Sequence, residues 1–285
     1  AAHDHLELVR ELLTRGASVG LQSSLGYTAL MSAAGYDCLS IVLVLLQHSA
    51  NPDLQSISGY TALMSAAGGG HEACVKALLR AKADPDLQDI EGDTALHCAA
   101  NFGRLEAVQY LLQSRATVDV PDDLNQTALH YAAAHGHAAV VRELVSHGAD
   151  LRLTSANGDN TPLDMAPLSH RAAIRAAIEE GQLDTVKKAA EQGDVAELRR
   201  LRVGEECGVP VDATDSYGMT ALHSAAAKGQ LKAVQYLLQN GATVDVPDND
   251  RYTALHIAAI TGQAAVAREL VLQGADPRLT SNDGN

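Results

Sequence analysis

Apolar residues recur along this chain in short helical patterns, separated by polar stretches that contain glycine. Leu96, Ala99 and Ala100 form one apolar stripe at helical spacing, and Gly103 follows it. A second stripe consists of Leu105, Val108, Leu111 and Leu112. Because glycine readily adopts the left-handed conformation that ends a helix, the pattern predicts a short helix, a tight turn and a longer amphipathic helix.

The same pattern returns at a fixed interval. The tripeptide Thr-Ala-Leu begins at residues 28, 61, 94, 127, 220 and 253, in steps of 33 within the first four and within the last two, and a Thr-Pro-Leu variant begins at Thr161. Threonine is a favourable helix N-cap, so each tripeptide predicts the start of a first helix. One unit cannot bury its apolar face alone, and the units are therefore predicted to stack into a solenoid.

These units resemble the ankyrin repeat family. The resemblance rests on Thr94-Ala-Leu-His-Cys-Ala-Ala100, the glycine turn, the Leu-Leu end of the second helix and Gly148-Ala-Asp150, and it covers nearly the whole chain. Two departures are that Ala replaces the family's usual Pro in every unit but that of Thr161, and that Met31 and Met64 replace His. The resemblance implies an all-α ankyrin solenoid of helix-turn-helix units with β-hairpin-like loops.

A longer period lies over the short one. Residues 94–159 match residues 220–285 at an offset of 126, which indicates that a block of several repeats was duplicated. Ala1-Ala2 aligns with the end of a first helix, and residues 282–285 begin a further unit. We expect a fragment of a longer array, and self-association through ends that no capping repeat covers.

The regular spacing is interrupted between Thr161 and Thr220, where 59 residues replace the expected 33. Helices are predicted over 172–180, 184–192 and 195–201. This favours two domains, an ankyrin block over 1–180 with an irregular closing unit and a second block over 181–285 with an irregular opening unit. The alternative is one irregular repeat inside a single continuous stack.

Composition narrows the classes of partner. The 21 Lys and Arg against 35 Asp and Glu give a formal net charge of −14, which disfavours nucleic acid or an anionic membrane as the main partner. The longest purely aliphatic run, Ile41 to Leu46, is too short to insert into a membrane. The four cysteines show no metal-ligand spacing and predict reduced thiols, hence an intracellular, cytoplasmic protein, with a nuclear location left open.

Candidate chemistry was sought among the histidines and acidic residues. His97, His130, His223 and His256 stand at the same place in each unit, which favours a structural bond to a neighbouring turn over catalysis. The His3/His5 and His135/His137 pairs lack further ligands at metal spacing. The Asp-rich loops lack the pattern of an EF-hand and predict capping of backbone N–H groups. No catalytic residue, cofactor or metal is predicted.

Cys98 falls on the side of a first helix that would face outward, so its thiol is predicted to be the most accessible of the four. Ankyrin repeats, which this chain resembles, can also be hydroxylated at a hairpin Asn. The corresponding positions here are Asp53, Asp86, Asp119, Asp212 and Asp245, which disfavours an Asn-specific modification.

The few aromatic residues suggest where a partner binds. Rings make up only 3% of the chain, yet seven of the nine fall beside hairpin glycines or on first helices, which line the groove implied by the ankyrin resemblance. The predicted partner-binding residues are Leu25, Tyr27, Tyr36, Ile57, Tyr60, Ile90, Phe102, Leu124, Tyr131, Tyr217 and Tyr252. Exposed rings are effective interface anchors. The alternative is that Tyr27, Tyr60 and Tyr252 simply stack on adjacent hairpins.

The sequence thus predicts a non-catalytic scaffold that binds a protein partner through this groove. Acidic residues near the predicted site (Asp86, Asp89, Glu91, Asp93, Asp122 and Asp123) indicate a partner with an apolar centre and a basic rim. The first alternative is a regulatory or targeting arm of a larger enzyme or channel whose active domain lies outside this chain. A weaker alternative is an active site within residues 161–219.

Overall fold

The fold was analysed in a computed structural model, which describes residues 5–156, 160–201, 203 and 209–282. Within these ranges the chain forms sixteen helices and no strand, which confirms an all-α repeat architecture. They are α1 (Leu6–Thr14), α2 (Ala29–Gly35), α3 (Leu39–Gln47), α4 (Ala62–Gly69), α5 (Glu72–Arg80), α6 (Ala95–Asn101), α7 (Leu105–Gln113), α8 (Ala128–Ala134), α9 (Ala138–Ser146), α10 (Pro162–Met165), α11 (Arg171–Gln192), α12 (Val195–Arg200), α13 (Ala221–Ala227), α14 (Leu231–Gln239), α15 (Ala254–Ile260) and α16 (Ala264–Leu272).

Each regular repeat follows the predicted order of short helix, turn and longer helix. Thr94 is the N-cap of α6, and its side chain accepts a hydrogen bond from the backbone N–H of His97. Gly103 follows α6 with φ +65°, the left-handed conformation that favours glycine. The longer helix α7 then buries Val108, Leu111 and Leu112.

The loops between repeats are turns rather than strand hairpins. Among the described residues, the one isolated β-bridge joins Gln22 and Thr28. These loops therefore reverse the chain direction as a β-hairpin does, but they lack its paired strands. We call the reversal before each first helix a tip; the first four tips are residues 23–27, 56–60, 89–93 and 122–126.

The first helices are filled by alanine so that neighbouring repeats can approach closely. In α6, Ala99 and Ala100 are fully buried, and the matching pairs of α4 and α8 are buried in the same way. Because these side chains are small, neighbouring first helices can pack close to each other. Leucines of the first and second helices fill the core between the two layers of helices. The core of each unit is therefore continuous across repeats although it holds few rings.

The chain divides into two compact units, Ala1–Ile178 and Glu179–Asn285. The core of the first unit runs from Leu30 to Ile178, and that of the second from Val186 to Ala275. The predicted division into two ankyrin blocks, 1–180 with an irregular closing unit and 181–285 with an irregular opening unit, stays a prediction.

The irregular segment differs from its prediction in one respect. The helices predicted over 172–180 and 184–192 are a single helix, α11, of 22 residues. The three residues between them include one glycine and no proline, so nothing breaks the hydrogen-bond ladder, and the Thr185 hydroxyl donates to Gly181 O within the helix. The predicted third helix is present as α12. Residues 202 and 204–208, which come after α12 in the sequence, lie outside the described residues.

Candidate protein-binding surface

The tips of the first unit are closed by a side-chain acceptor at their first position. Ser23 Oγ accepts from the backbone N–H groups of Leu25 and Tyr27, at 3.3 and 3.1 Å. In the fourth tip, Asp122 Oδ1 accepts from Leu124 N and Gln126 N, at 2.8 and 2.7 Å. This local bonding holds each tip in one conformation, so the side chain at its apex has a fixed position.

Consecutive tips are joined directly. Ile57 N donates to Leu25 O at 3.0 Å, and Ile90 N donates to Ser58 O at 3.1 Å. Gly59, with φ +78°, lies so close to the next tip that a β-carbon there would be 2.6 Å from Asp89 Cα. The tips of neighbouring repeats therefore form one connected row, and their apolar side chains are neighbours.

Eight of the eleven predicted contact residues are exposed. Ile57 is 72% exposed, Ile90 68% and Phe102 55%, and the others are Leu25, Tyr27, Tyr36, Leu124 and Tyr217. Tyr36 and Phe102 are the C-cap residues of α2 and α6. We call the first-unit residues Leu25, Tyr27, Tyr36, Ile57, Tyr60, Ile90, Phe102, Leu124 and Tyr131 the tip face.

The remaining three rings are half-buried and have partners within the protein. The Tyr60 ring packs against the core and its hydroxyl lies 3.4 Å from Cys98 Sγ. Tyr131 donates its hydroxyl to Asp122 Oδ2 at 2.9 Å and meets the His97 ring edge-on. Burial raises the pKa of both hydroxyls. Tyr252, in the second unit, meets His256 of its own repeat edge-on. These three rings therefore support the fold as well as offering one face.

Cys98 is not the accessible thiol that the sequence predicts. It is only 7% exposed, because Tyr60 from the preceding repeat covers it, and burial raises the pKa of the thiol to about 12. Of the cysteines in the described residues, Cys38 is the one that is partly exposed; Cys74 is buried. Cys207 lies outside the described residues.

Asp122 is also not a rim charge. It is 6% exposed, and its carboxylate is occupied by two backbone N–H groups and Tyr131. Asp86 accepts from the Thr117 backbone N–H and hydroxyl in the next repeat, so it too is a structural acceptor. Asp123 and Glu91 are exposed and carry the charge that a partner would meet.

Asp93 is electrostatically unusual. Its Oδ1 is buried and has no hydrogen-bond partner among the described residues. Burial, followed by the nearby carboxylates of Asp89, Asp122 and Glu91, raises the pKa of its carboxyl to about 7. The ionised form of Asp93 is therefore unfavourable in the third tip, because other carboxylates already surround it.

The recurring histidines tie neighbouring repeats together, as predicted. The ring Nδ1 of His97 accepts from Thr94 N at 3.1 Å, and its Nε2 lies 3.2 Å from Gln126 O in the next tip. His130, His223 and His256 repeat this arrangement with Leu153 O, Tyr252 O and Leu279 O. Burial lowers the pKa of His97, His130 and His223.

Across the residues with described positions, no group of three or more His, Cys, Asp or Glu side chains could hold a metal ion. His137 of the predicted pair is bonded to Asn101 O at 3.0 Å, and His3 lies outside the described residues. Within the same ranges, no helix is long and apolar enough to span a bilayer.

The family comparison agrees with the repeat geometry. A family model for ankyrin repeats, which represents three copies, matches residues 1–89, 69–155, 120–193 and 174–281. Together these matches cover almost the whole chain, including the irregular segment. No curated protein matches the chain.

Proposed function

We propose that this chain, which belongs to the ankyrin repeat family, is a scaffold that binds a protein partner through its tip face. Ankyrin repeats are in general protein–protein interaction modules, and their fold is typically non-catalytic. The proposal goes further by assigning the interaction to particular residues.

One observation carries this assignment: large apolar side chains stand exposed on tips that are bonded to one another. Leu25, Ile57 and Ile90 are each more than half exposed, although the core does not need them. Rigidly held apolar side chains bury area on binding at a low entropy cost. Exposed apolar side chains that are grouped on one side of the protein favour a binding interface, whereas apolar residues scattered singly over a surface do not.

The chemistry of the partner follows from what surrounds these side chains. Glu91 and Asp123 are exposed at the third and fourth tips, and Asp93 lies beside them with one unsatisfied oxygen. A partner with an apolar centre and Lys or Arg around it would complement this surface. In the second unit, exposed Tyr217 offers a separate anchor. Cys74 and Cys98 are in no disulfide, which supports an intracellular location.

The test uses the full chain with a photo-crosslinking amino acid at position 90 and, as the control, at Glu106, which is exposed on the second helix α7. Partners crosslinked from position 90 and absent from position 106 are identified, and their affinity is measured. Phe102→Ala and Ile90→Ala should each weaken binding by about 1–3 kcal/mol, with unchanged circular dichroism. Equal binding by both variants, or crosslinking from position 106 instead, would reject the tip face.

A further inference from the structure

A cleft on the second helices of the first unit lies outside the tip face. It has a volume of about 280 Å³ and lies between α5 and α7, lined by Lys76, Leu79, Arg80, Tyr110, Gln113 and Ser114. Binding sites for small molecules typically combine apolar walls with a few convergent polar groups. This cleft has that composition: Leu79 and the Tyr110 ring form its apolar part, and the other four side chains are hydrogen-bond donors.

The two cations of the cleft, Lys76 and Arg80, have no carboxylate partner among the described residues. Lys76 Nζ stands 4.0 Å from the centre of the Tyr110 ring, and neither Lys76 nor Arg80 has an ion pair or hydrogen bond within the described part of the chain. Five cations elsewhere in the chain are in ion pairs with a carboxylate, namely Arg15–Glu11, Arg152–Asp150, Lys187–Asp215, Arg200–Glu197 and Arg278–Asp276. Lys76 and Arg80 have no such pair, and they line the same cleft of a chain whose net charge is −14.

The matching positions of other repeats hold no pair of a lysine and a tyrosine. One repeat later, Gln109 and Glu143 replace Lys76 and Tyr110, and the amide donates to the carboxylate at 3.0 Å. In the second unit, Gln235 and Glu269 make the same bond at 3.0 Å. Between α3 and α5 the matching residues are Leu43 and Ala77, which are apolar. The α5–α7 cleft differs from these in offering positive charge with no internal acceptor.

We propose that this cleft binds a small organic phosphate, with the phosphate held by Lys76 and Arg80 and the apolar part of the ligand against Leu79. The positive charges of the two cations make the cleft favour an anion. Gln113 and Ser114 can donate hydrogen bonds to the remaining phosphate oxygens. The last-turn carbonyls of α5 and α7 oppose an anion, so both cations are needed. This site is independent of the tip face and of any protein bound there.

The test is an NMR titration of the full chain with phenyl phosphate and, separately, with inorganic phosphate, at constant ionic strength set with sodium chloride. Phenyl phosphate should give saturable shifts confined to amides near residues 76–80 and 110–114, and should bind several-fold more tightly than inorganic phosphate because of the apolar wall. Shifts spread over cations throughout the chain, or equal affinity for the two probes, would overturn the proposal.

Lys76→Gln and Arg80→Gln should each weaken phenyl phosphate binding about tenfold, the effect of one charge-assisted contact of about 1.4 kcal/mol. Glutamine already stands at the matching position of α7 and α14, so Lys76→Gln is expected to fold normally. Lys232→Gln on α14 removes the same charge elsewhere and should change the affinity less than twofold. Unchanged binding by Lys76→Gln, with an unperturbed spectrum otherwise, would contradict the assignment.

Discussion

Two neighbouring parts of the first unit build the same fold from different polar groups. The repeats that begin at Thr28 and Thr61 close their tips with Ser23 and Ser56, and their helix N-termini with Met31 and Met64. The repeats that begin at Thr94 and Thr127 use aspartate and histidine at the same positions. The first pair is uncharged at these positions, and the second pair is ionisable.

Both pairs still tie one tip to the next. In the uncharged part, the Gln22 side chain donates to Gly26 O in its own tip and to Gln55 O in the next repeat, and Gln55 repeats the arrangement. In the ionisable part, Gln88 makes the same two bonds, to Gly92 O and Pro121 O, and His97 and His130 add further bonds to the next repeat. The repeat thus requires a polar partner at the first position of the tip and at the helix N-terminus, but not a particular residue. Of the two combinations, only aspartate with histidine makes the stability depend on pH.

The largest expected effect is the loss of the buried aspartate. Asp122→Ala leaves two tip N–H groups and the Tyr131 hydroxyl without an acceptor, and should lower the free energy of unfolding by about 3 kcal/mol. Ser56→Ala is the matched change in the uncharged part; it removes a neutral acceptor and should cost about 1 kcal/mol. Urea denaturation of the full chain measures both. Similar costs for the two variants would show that the charge of Asp122 adds nothing to the tip.

A smaller effect concerns pH. Burial lowers the pKa of His97 and His130 below the ordinary value of 6.5, so the unfolded chain binds protons that the folded chain does not. Stability is therefore full above pH 6.5 and falls as the pH drops from there towards the folded pKa values, by at most about 1.4 kcal/mol per pH unit for each histidine. Urea unfolding at pH 7.5 and 5.5 measures the loss.

The variant that sharpens this comparison converts the histidines to the residue of the uncharged repeats. His97→Met together with His130→Met should reduce the loss of stability between pH 7.5 and 5.5, while His223 in the second unit retains its share. The measurement is made in an Asp93→Asn background, because Asp93 titrates in the same range with the opposite sign. An unchanged pH dependence would mean that these two histidines do not control it.

The smallest effect is a gain. Asp93 stands where the uncharged repeats have Tyr27 and Tyr60, and its raised pKa of about 7 means that its ionisation destabilises the fold as the pH rises through the range from its ordinary value to about 7. Asp93→Asn should therefore stabilise the chain at pH 8 by about 1 kcal/mol, after allowance for the partial exposure of the side chain. The gain should shrink as the pH falls below about 7 and disappear well below pH 3.8, where the carboxyl is protonated in both states. A gain that is independent of pH would assign the effect to packing instead.

Much of the fold could be read from the sequence because its determinants are local. The Thr-Ala-Leu-His segment fixes an N-cap and its acceptor within four residues, Gly103 fixes the turn, and a regular step of 33 places each unit against a copy of itself. The structural role of His97 was predictable for the same reason, since its partner at Gln126 lies in the next copy. The exposed apolar residues at the tips were recognisable because the helical core pattern leaves no place for them.

The tertiary structure determined which side chains are buried by residues of a neighbouring repeat. Cys98 is buried because Tyr60, 38 residues earlier, covers it, and Asp122 is buried because Tyr131 from the next helix closes over its carboxylate. The fusion of two predicted helices into α11 and the pairing of Lys76 with Tyr110 across a cleft likewise depend on neighbouring segments. Residue type and spacing set local hydrogen bonds, whereas burial, pKa and cleft shape depend on side chains brought together from different repeats.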